Sequence, residues 1–302
     1  MNRSAFARYI PPVVLLALII GLAGVANASS ISVGVTPQNY KSLTVDLGLG
    51  KREPATMGRD DCPDLQSDKL NNIGRGVAEI AIICNSIFEA GLTDRIKLIH
   101  HLPHRRRLNE IAAGTIDVSG NTIFPEAADT LTVKTHPLLS NAVIRVGEFE
   151  KAIFTLPGRD DVLTVSSLEA LRRFKAITVK FWVVDVKTLK AMKLKRVIEV
   201  TKPSLYARFL EAGRADFLIS EFNTNSVISW GANMARVPGV KVSLMSPRVF
   251  PVSPHRDDVQ RAINDYLEKA RAGETDLVKQ VFLKAGFFKP EFSGWTLLFP
   301  EN

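Results

Sequence analysis

Cysteine is scarce in this chain, with two among 302 residues, Cys62 and Cys84. Neither belongs to a Cys-x-x-Cys or stands by a His-x-His cluster, so the pair does not make a structural metal site. No G-x-S-x-G, H-E-x-x-H or P-loop occurs. The motif-borne routes to acyl transfer, zinc-dependent hydrolysis and nucleotide binding therefore have no support. No long basic block is present, and aromatic and basic residues do not interleave as single-strand binding needs, so nucleic acid is not an expected partner. The 39 Lys and Arg against 31 Asp and Glu are scattered along the chain. Such a mild excess serves solubility first, with room for an acidic ligand.

Long apolar runs are lacking too, with one exception. Arg3 and Arg8 precede an uncharged, mostly apolar stretch from Ile10 to Val25, and Ala26-Asn27-Ala28 follows as an A-x-A site. This is the layout of a secretory signal peptide cleaved after Ala28. The run is short for a membrane span of about 20 residues, although an uncleaved anchor is the alternative. Export to the periplasm makes one disulfide between Cys62 and Cys84 the expectation. It would stabilise the fold by roughly 3 kcal/mol. The alternative is two thiols, with Cys84 buried on the apolar face of "VAEIAIICNSIF". The spacing of His100, His101 and His104 in "HHLPHRRR" would take up a metal only adventitiously. A solvated loop before a helix is expected there, and no metal or cofactor.

Strand and helix patterns alternate along the rest. Strands are read at 30–35, 95–101, "TIDVSG", 175–182, 196–200 and 215–220 from short β-branched runs. Helices are read at 73–91, 106–114, 166–174, 185–194, 203–213, 256–273 and 275–286 from their apolar spacing and caps. Asp185 is the expected N-cap of one. Residues 39–68 read as a long irregular loop, 141–156 and 240–245 as extended crossing segments, and the aromatic tail from Phe287 as irregular. Alternation of this kind argues for parallel α/β layers.

One corner occurs twice. "RRLNEIAAGTIDVSGNT" and "YARFLEAGRADFLISEFNT" each end a helix at Ala-Gly, place Asp three residues later and continue as an apolar strand. Gly114 and Gly213 are 99 positions apart, as are Asp117 and Asp216. Gly ends a helix in the left-handed conformation without strain, and Asp bonds the backbone of the turn. Two such corners imply two similar lobes whose strand ends point into a shared cleft.

With the leader and the order of elements added, "RRLNEIAAGTIDVSGNTIFPEA", "LTVSSLEALRRFKAITVKF", "FLEAGRADFLISE" and "DDVQRAINDYLEKARAGE" resemble the type II periplasmic solute-binding proteins, most closely the amino-acid-binding class of ABC importers. The resemblance runs from about Gly74 to Gly286. It implies a two-lobed α/β fold with a hinge of two crossing segments and an interlobe cleft. Lobe one would hold 29–143 and 245–302, and lobe two 144–244. It also implies a monomer that closes on a small-molecule ligand and presents it to an ABC permease or a membrane sensor.

The sequence departs from that family at its carboxylate clamp. Ala127 stands where the family carries Arg, Phe124 replaces a Thr, and "VKFWVVDVK" lacks the Gly-rich anion site. The resemblance leaves Tyr40, Asn121, Thr122, Lys180, Trp182, Glu221, Asn223 and Thr224 as candidate ligand-binding residues. Lys180 would stand in for the lost Arg, Glu221 would meet a ligand amine, and Tyr40 would stack on the ligand. The bland alternatives are core packing for Trp182, solvent for Lys180 and turn bonding for Asn121 and Asn223. The leading reading is a non-enzymatic binder of a small polar solute, amino-acid-like or an organic acid or amine. A partner-signalling domain without transport, and a dehydratase-like enzyme with Glu221 as acid, are the alternatives on the same fold.

Overall fold

The computed structural model describes residues 30–49, 55–131 and 135–300. The expected signal peptide lies outside them. Among the described residues no helix is long and apolar enough to cross a membrane.

The strands in chain order are β1 (Ile31–Gly34), β2 (Thr56–Met57), β3 (Ile96–Ile99), β4 (Val118–Ser119), β5 (Leu138–Leu139) and β6 (Glu150–Thr155). They continue as β7 (Lys175–Val179), β8 (Arg196–Val200), β9 (Leu218–Ser220), β10 (Ala235–Ser243), β11 (Pro251–Val252) and β12 (Thr296–Phe299). One sheet has the order β2-β3-β1-β4-β11-β5, with β3, β1 and β4 parallel. A second has the order β12-β10-β6-β9, and the parallel pair β7-β8 joins its edge through Ala176 and Phe217.

The chain passes from the first sheet to the second between β5 and β6 and returns between β10 and β11. The two crossings hold each other. β6 and β10 pair antiparallel with Lys151 opposite Val242, and Val143 N–H donates to the Arg248 carbonyl at 2.8 Å. The first sheet is buried by the helix Arg75–Glu89, whose residues from Val77 to Cys84 are all buried. That helix is apolar over most of its surface because the helices Asp257–Ala272, Pro37–Val45 and Leu277–Lys284 pack against it and its apolar side chains share one core with Ile31 and Val33 of β1. The Cys62–Cys84 disulfide, with Cα atoms 5.9 Å apart, ties the preceding loop to it.

The repeated corner is built twice in atomic detail. Gly114 and Gly213 have φ of +81° and +62°. Asp117 Oδ2 accepts from Ser32 N–H at 2.7 Å, and Asp216 Oδ2 accepts from Lys175 N–H at 2.8 Å, each on a neighbouring strand. The other oxygen of each takes a guanidinium, Arg256 at 2.7 Å and Arg159 at 3.1 Å. Both arginines open an Arg-Asp-Asp-Val run and also bind the second Asp of it.

Three local expectations are corrected. The stretch read as loop from 39 begins inside a helix, Pro37–Val45, capped by the Thr36 hydroxyl and started by Pro37. The tail is not irregular throughout, because β12 pairs parallel with β10. The last strand of the segment expected in lobe one thus lies in the second sheet. The helix expected from Asp185 starts at Val183 with Trp182 at its cap, so Asp185 falls inside the first turn and is buried.

Candidate functional site

A cavity of about 710 Å³ lies between the two sheets. Three sources line it. Arg75 and the 122–127 segment come from the first-sheet side, 181–185 and Ser220, Glu221 and Thr224 from beyond the ends of β7 and β9, and Phe149, Lys151 and Arg248 from the crossings. Strand ends of an open α/β sheet leave such a crevice because the chain must turn away there.

Phe149 forms the floor and is almost fully buried. Three cations surround its ring, with Arg248 at 5.5 Å, Arg75 at 5.7 Å and Lys151 at 5.8 Å from the centroid. Behind it Phe287 of the tail stacks edge-on at 5.1 Å and also meets the Arg75 guanidinium. Desolvated cations prefer an aromatic face to bare hydrocarbon, which helps keep them here.

Each cation has an anionic or polar partner. Arg75 donates to Glu79 at 2.7 Å, one helical turn away, and reaches Glu221 at 3.4 Å. Lys151 donates to Asp185 at 2.6 Å. Arg248 Nε donates to the Thr122 hydroxyl at 2.8 Å, and a second guanidinium nitrogen donates to the Thr122 carbonyl. Burial, then the Arg75 charge, pushes the Arg248 guanidinium below its ordinary value, to about 9.

Glu79 is the anchor of this network. It is fully buried, and accepts from Thr122 N–H at 3.2 Å, the Thr122 hydroxyl and Asn121 Nδ2 at 3.3 Å. Burial alone would raise its carboxyl, but Arg75, Arg248 and the Thr122 hydrogen bond outweigh that and hold it below the ordinary carboxylate value. At the rim Glu126 accepts from Ser246 at 2.7 Å and faces Lys187 at 3.5 Å. His104 also borders the cavity, although it stands on an exposed first turn. Enclosure of its ring, then the Arg107 and Arg248 charges, pushes the imidazole down to about 4.

The candidates read from the sequence divide. Thr122, Trp182, Glu221 and Thr224 line the cavity. Asn121 stands beside it, bonded to Glu79. Lys180, Asn223 and Tyr40 do not line it. Lys180 is exposed beside the Phe181 ring at 4.8 Å, and Asn223 is exposed on the turn after β9. Tyr40 lies on the helix after β1 and stacks on His100 with ring centres 3.7 Å apart. The composition of 39–68 places Tyr40 in a loop, and the resemblance gives it a ligand to stack on; it stands instead within the helix Pro37–Val45. Among the described residues no three His, Cys, Asp or Glu gather as a metal site.

Reading the sequence missed Arg75, Phe149, Lys151 and Arg248. Glu79 carried the one available signal, a lone acid in "VAEIAIIC", since an unpaired charge on an apolar helix face requires a partner. Phe149 and Lys151 lay inside a crossing segment already identified, where nothing local marks a cleft residue.

No family model matches this chain, and no curated protein matches it in sequence. Among solved structures it is similar to the probable amino-acid ABC transporter extracellular-binding protein ytmK from Bacillus subtilis. That match has 14% identity over 71% of this chain and 88% of that one, with a TM-score of 0.50. An amino acid ABC transporter substrate-binding protein from Streptococcus pneumoniae bound to L-arginine matches at 14% identity over 86% and 95%, TM-score 0.45. An ancestral arginine-binding protein bound to arginine matches at 17% over 70% and 88%, TM-score 0.43. What the likeness to the Bacillus protein shows is the architecture: this chain has the two-lobed α/β fold of the ABC-transporter solute-binding proteins.

Proposed function

We propose that this chain captures a small solute, amino-acid-like or an organic acid or amine, between two lobes and delivers it to an ABC permease or a membrane sensor. One observation carries the reading: a cavity of about 710 Å³ lined from both sheets and from both crossings. A solute there contacts both sides only when they are together, so binding favours the closed form. The volume lies in the range of small-molecule sites, about 300–1,000 Å³.

In this reading the chain is exported, cleaved after Ala28, and works as a monomer. The lobes are 29–143 with 245–302, and 144–244, with β12 reaching across to the second. Binding is favoured over catalysis because Glu221, the acid a dehydratase reading would use, is ion-paired to Arg75. The test is a thermal-shift screen of the exported protein against amino acids, organic acids and amines. Stabilisation by a saturating solute follows from linkage. Failure of every solute to raise the melting temperature, with no co-purifying molecule in native mass spectrometry, would overturn the reading.

A further inference from the structure

We infer that the C-terminal tail from Gly286 to Phe299 is a strap across the hinge, which holds the two sides of the cleft together before a solute arrives and sets how far they part. The strap matters only if the sides move, as capture of a solute requires, and it rests on that reading in this respect alone.

The strap starts on the first-sheet side. The helix Leu277–Lys284 packs against the helix Arg75–Glu89. Its end is bonded to the residues that lead into that helix: Asn72 N–H donates to the Lys284 carbonyl at 2.8 Å, and Gly74 N–H to the Ala285 carbonyl at 3.0 Å. Phe287 follows, its ring centre 5.8 Å from Phe282 and 5.1 Å from Phe149.

The other end is fastened to the second sheet. Phe292 stacks on Phe222, just after β9, with ring centres 4.5 Å apart, and Trp295 meets these two rings at 4.7 and 5.8 Å. Such clustered rings add specific contacts to the apolar area they bury. Arg236 of β10 lies 4.7 Å from the Phe292 ring and donates to the Phe222 carbonyl at 2.8 Å. The buried Lys241 ammonium donates to the Phe292 carbonyl at 3.1 Å and to Glu150 at 2.9 Å, and β12 then pairs with β10.

Between its ends the tail is not flush with the molecule. A second cavity, of about 510 Å³, lies between it and the first crossing, with Gly147, Glu148, Leu283, Phe287, Phe288 and Pro290 in its lining. A tail that served only as packing would close such a space. A segment held at both ends restrains by its length.

The strap spans the same gap as the cleft. Arg75 and Glu221 face each other across the cavity at 3.4 Å. Phe287 lies 5.4 Å from the Arg75 guanidinium, and Phe292 is stacked on the residue after Glu221. Opening that parts Arg75 from Glu221 therefore draws the two anchors apart as well. A restraint on the open form favours the closed one, and closure then costs an incoming solute less.

The mouth of the cleft carries its own reporter. Glu126 and Lys187 stand on opposite sides of it at 3.5 Å, whereas Lys190 and Glu199 face each other at 2.7 Å within the second side. A water-soluble carbodiimide joins a carboxylate to an amine in contact with it. In the solute-free exported chain, the yield of the first link relative to the second, read by peptide mass spectrometry, follows the closed fraction. Inserting roughly six Gly and Ser residues between Lys289 and Pro290 slackens the strap and leaves both anchors intact. The insertion should lower the ratio at least about threefold. Phe292→Ala, which frees the second anchor, should lower it too. An unchanged ratio in the insertion variant would overturn the inference, whatever Phe292→Ala does. The thermal-shift screen judges the solute reading separately. Stabilisation by a solute with an unchanged ratio would leave that reading standing without the strap, and a fallen ratio with no solute found would leave the strap standing without that reading.

Discussion

Asp117 and Asp216 do the same work 99 positions apart. Each spends one carboxylate oxygen on the backbone N–H of a neighbouring strand, at 2.7 and 2.8 Å, and the other on an arginine that opens an Arg-Asp-Asp-Val helix start. The duplicated corner thus fastens the turn to a neighbouring strand and to a helix start distant in sequence in both halves of the molecule.

Asp117→Ala and Asp216→Ala should each cost about 2 kcal/mol, since charge-assisted bonds are worth about 1.5–3 kcal/mol. The two share no partner, so the double variant should lose the sum to within about 0.5 kcal/mol. Urea denaturation of the four proteins in the cycle measures this. A coupling well above that figure would mean the halves do not act independently.

Glu79 makes a stronger case. Glu79→Ala removes the nearer of Arg75's two carboxylate partners, at 2.7 Å against 3.4 Å for Glu221, and three further hydrogen bonds that Glu79 accepts. Breaking a buried pair from one side costs about 3–5 kcal/mol. The pH dependence has a fixed sign. The folded carboxyl is held below its ordinary 4.5, so its contribution is fully present above that value and is lost as pH falls from there through the lower folded value. The wild-type denaturation midpoint should therefore drop more steeply below about pH 4.5 than that of Glu79→Gln. Parallel acid limbs would count against the network.

Two lysine–carboxylate pairs should differ sharply. Lys151 and Asp185 are both buried at 2.6 Å, so Lys151→Ala should cost about 3–5 kcal/mol. Lys187 is 70% exposed and lies 3.5 Å from Glu126. Lys187→Ala should change stability by no more than about 0.5 kcal/mol. Chemical denaturation distinguishes them.

Reduction of the Cys62–Cys84 bridge removes a loop constraint of 22 residues, worth roughly 3 kcal/mol in the chain-entropy account. The Cys62→Ala, Cys84→Ala double variant should melt several degrees lower, and reductant should then have no further effect on it. Calorimetric scans with and without dithiothreitol provide the measurement.

Much of the fold was legible because its signals are local. Gly114 and Gly213 act on the backbone beside them, and the helix Arg75–Glu89 announces itself by periodicity, whereas Pro37 starts a helix where the sequence reads as the end of a strand. The site was legible only where it sits at a strand end, as with Thr122, Trp182 and Glu221. Its charged floor was not. Arg75, Lys151 and Arg248 are brought together by pairing between segments about 75 to 170 positions apart, and nothing in the neighbourhood of any one of them records the other two. Asp185 shows the same limit in miniature. Its type and position suit a cap, but Lys151 on the adjacent strand binds it first.

Phe149, Lys151 and Arg248 all belong to two segments that cross between the sheets, which in the proposed solute-binding reading would bend as the lobes part. The proposed hinge would also be the floor of the cavity. In that reading a substitution at one of these three residues that changed affinity would also change how readily the lobes open. Affinity and ease of opening would then be coupled through the same few side chains.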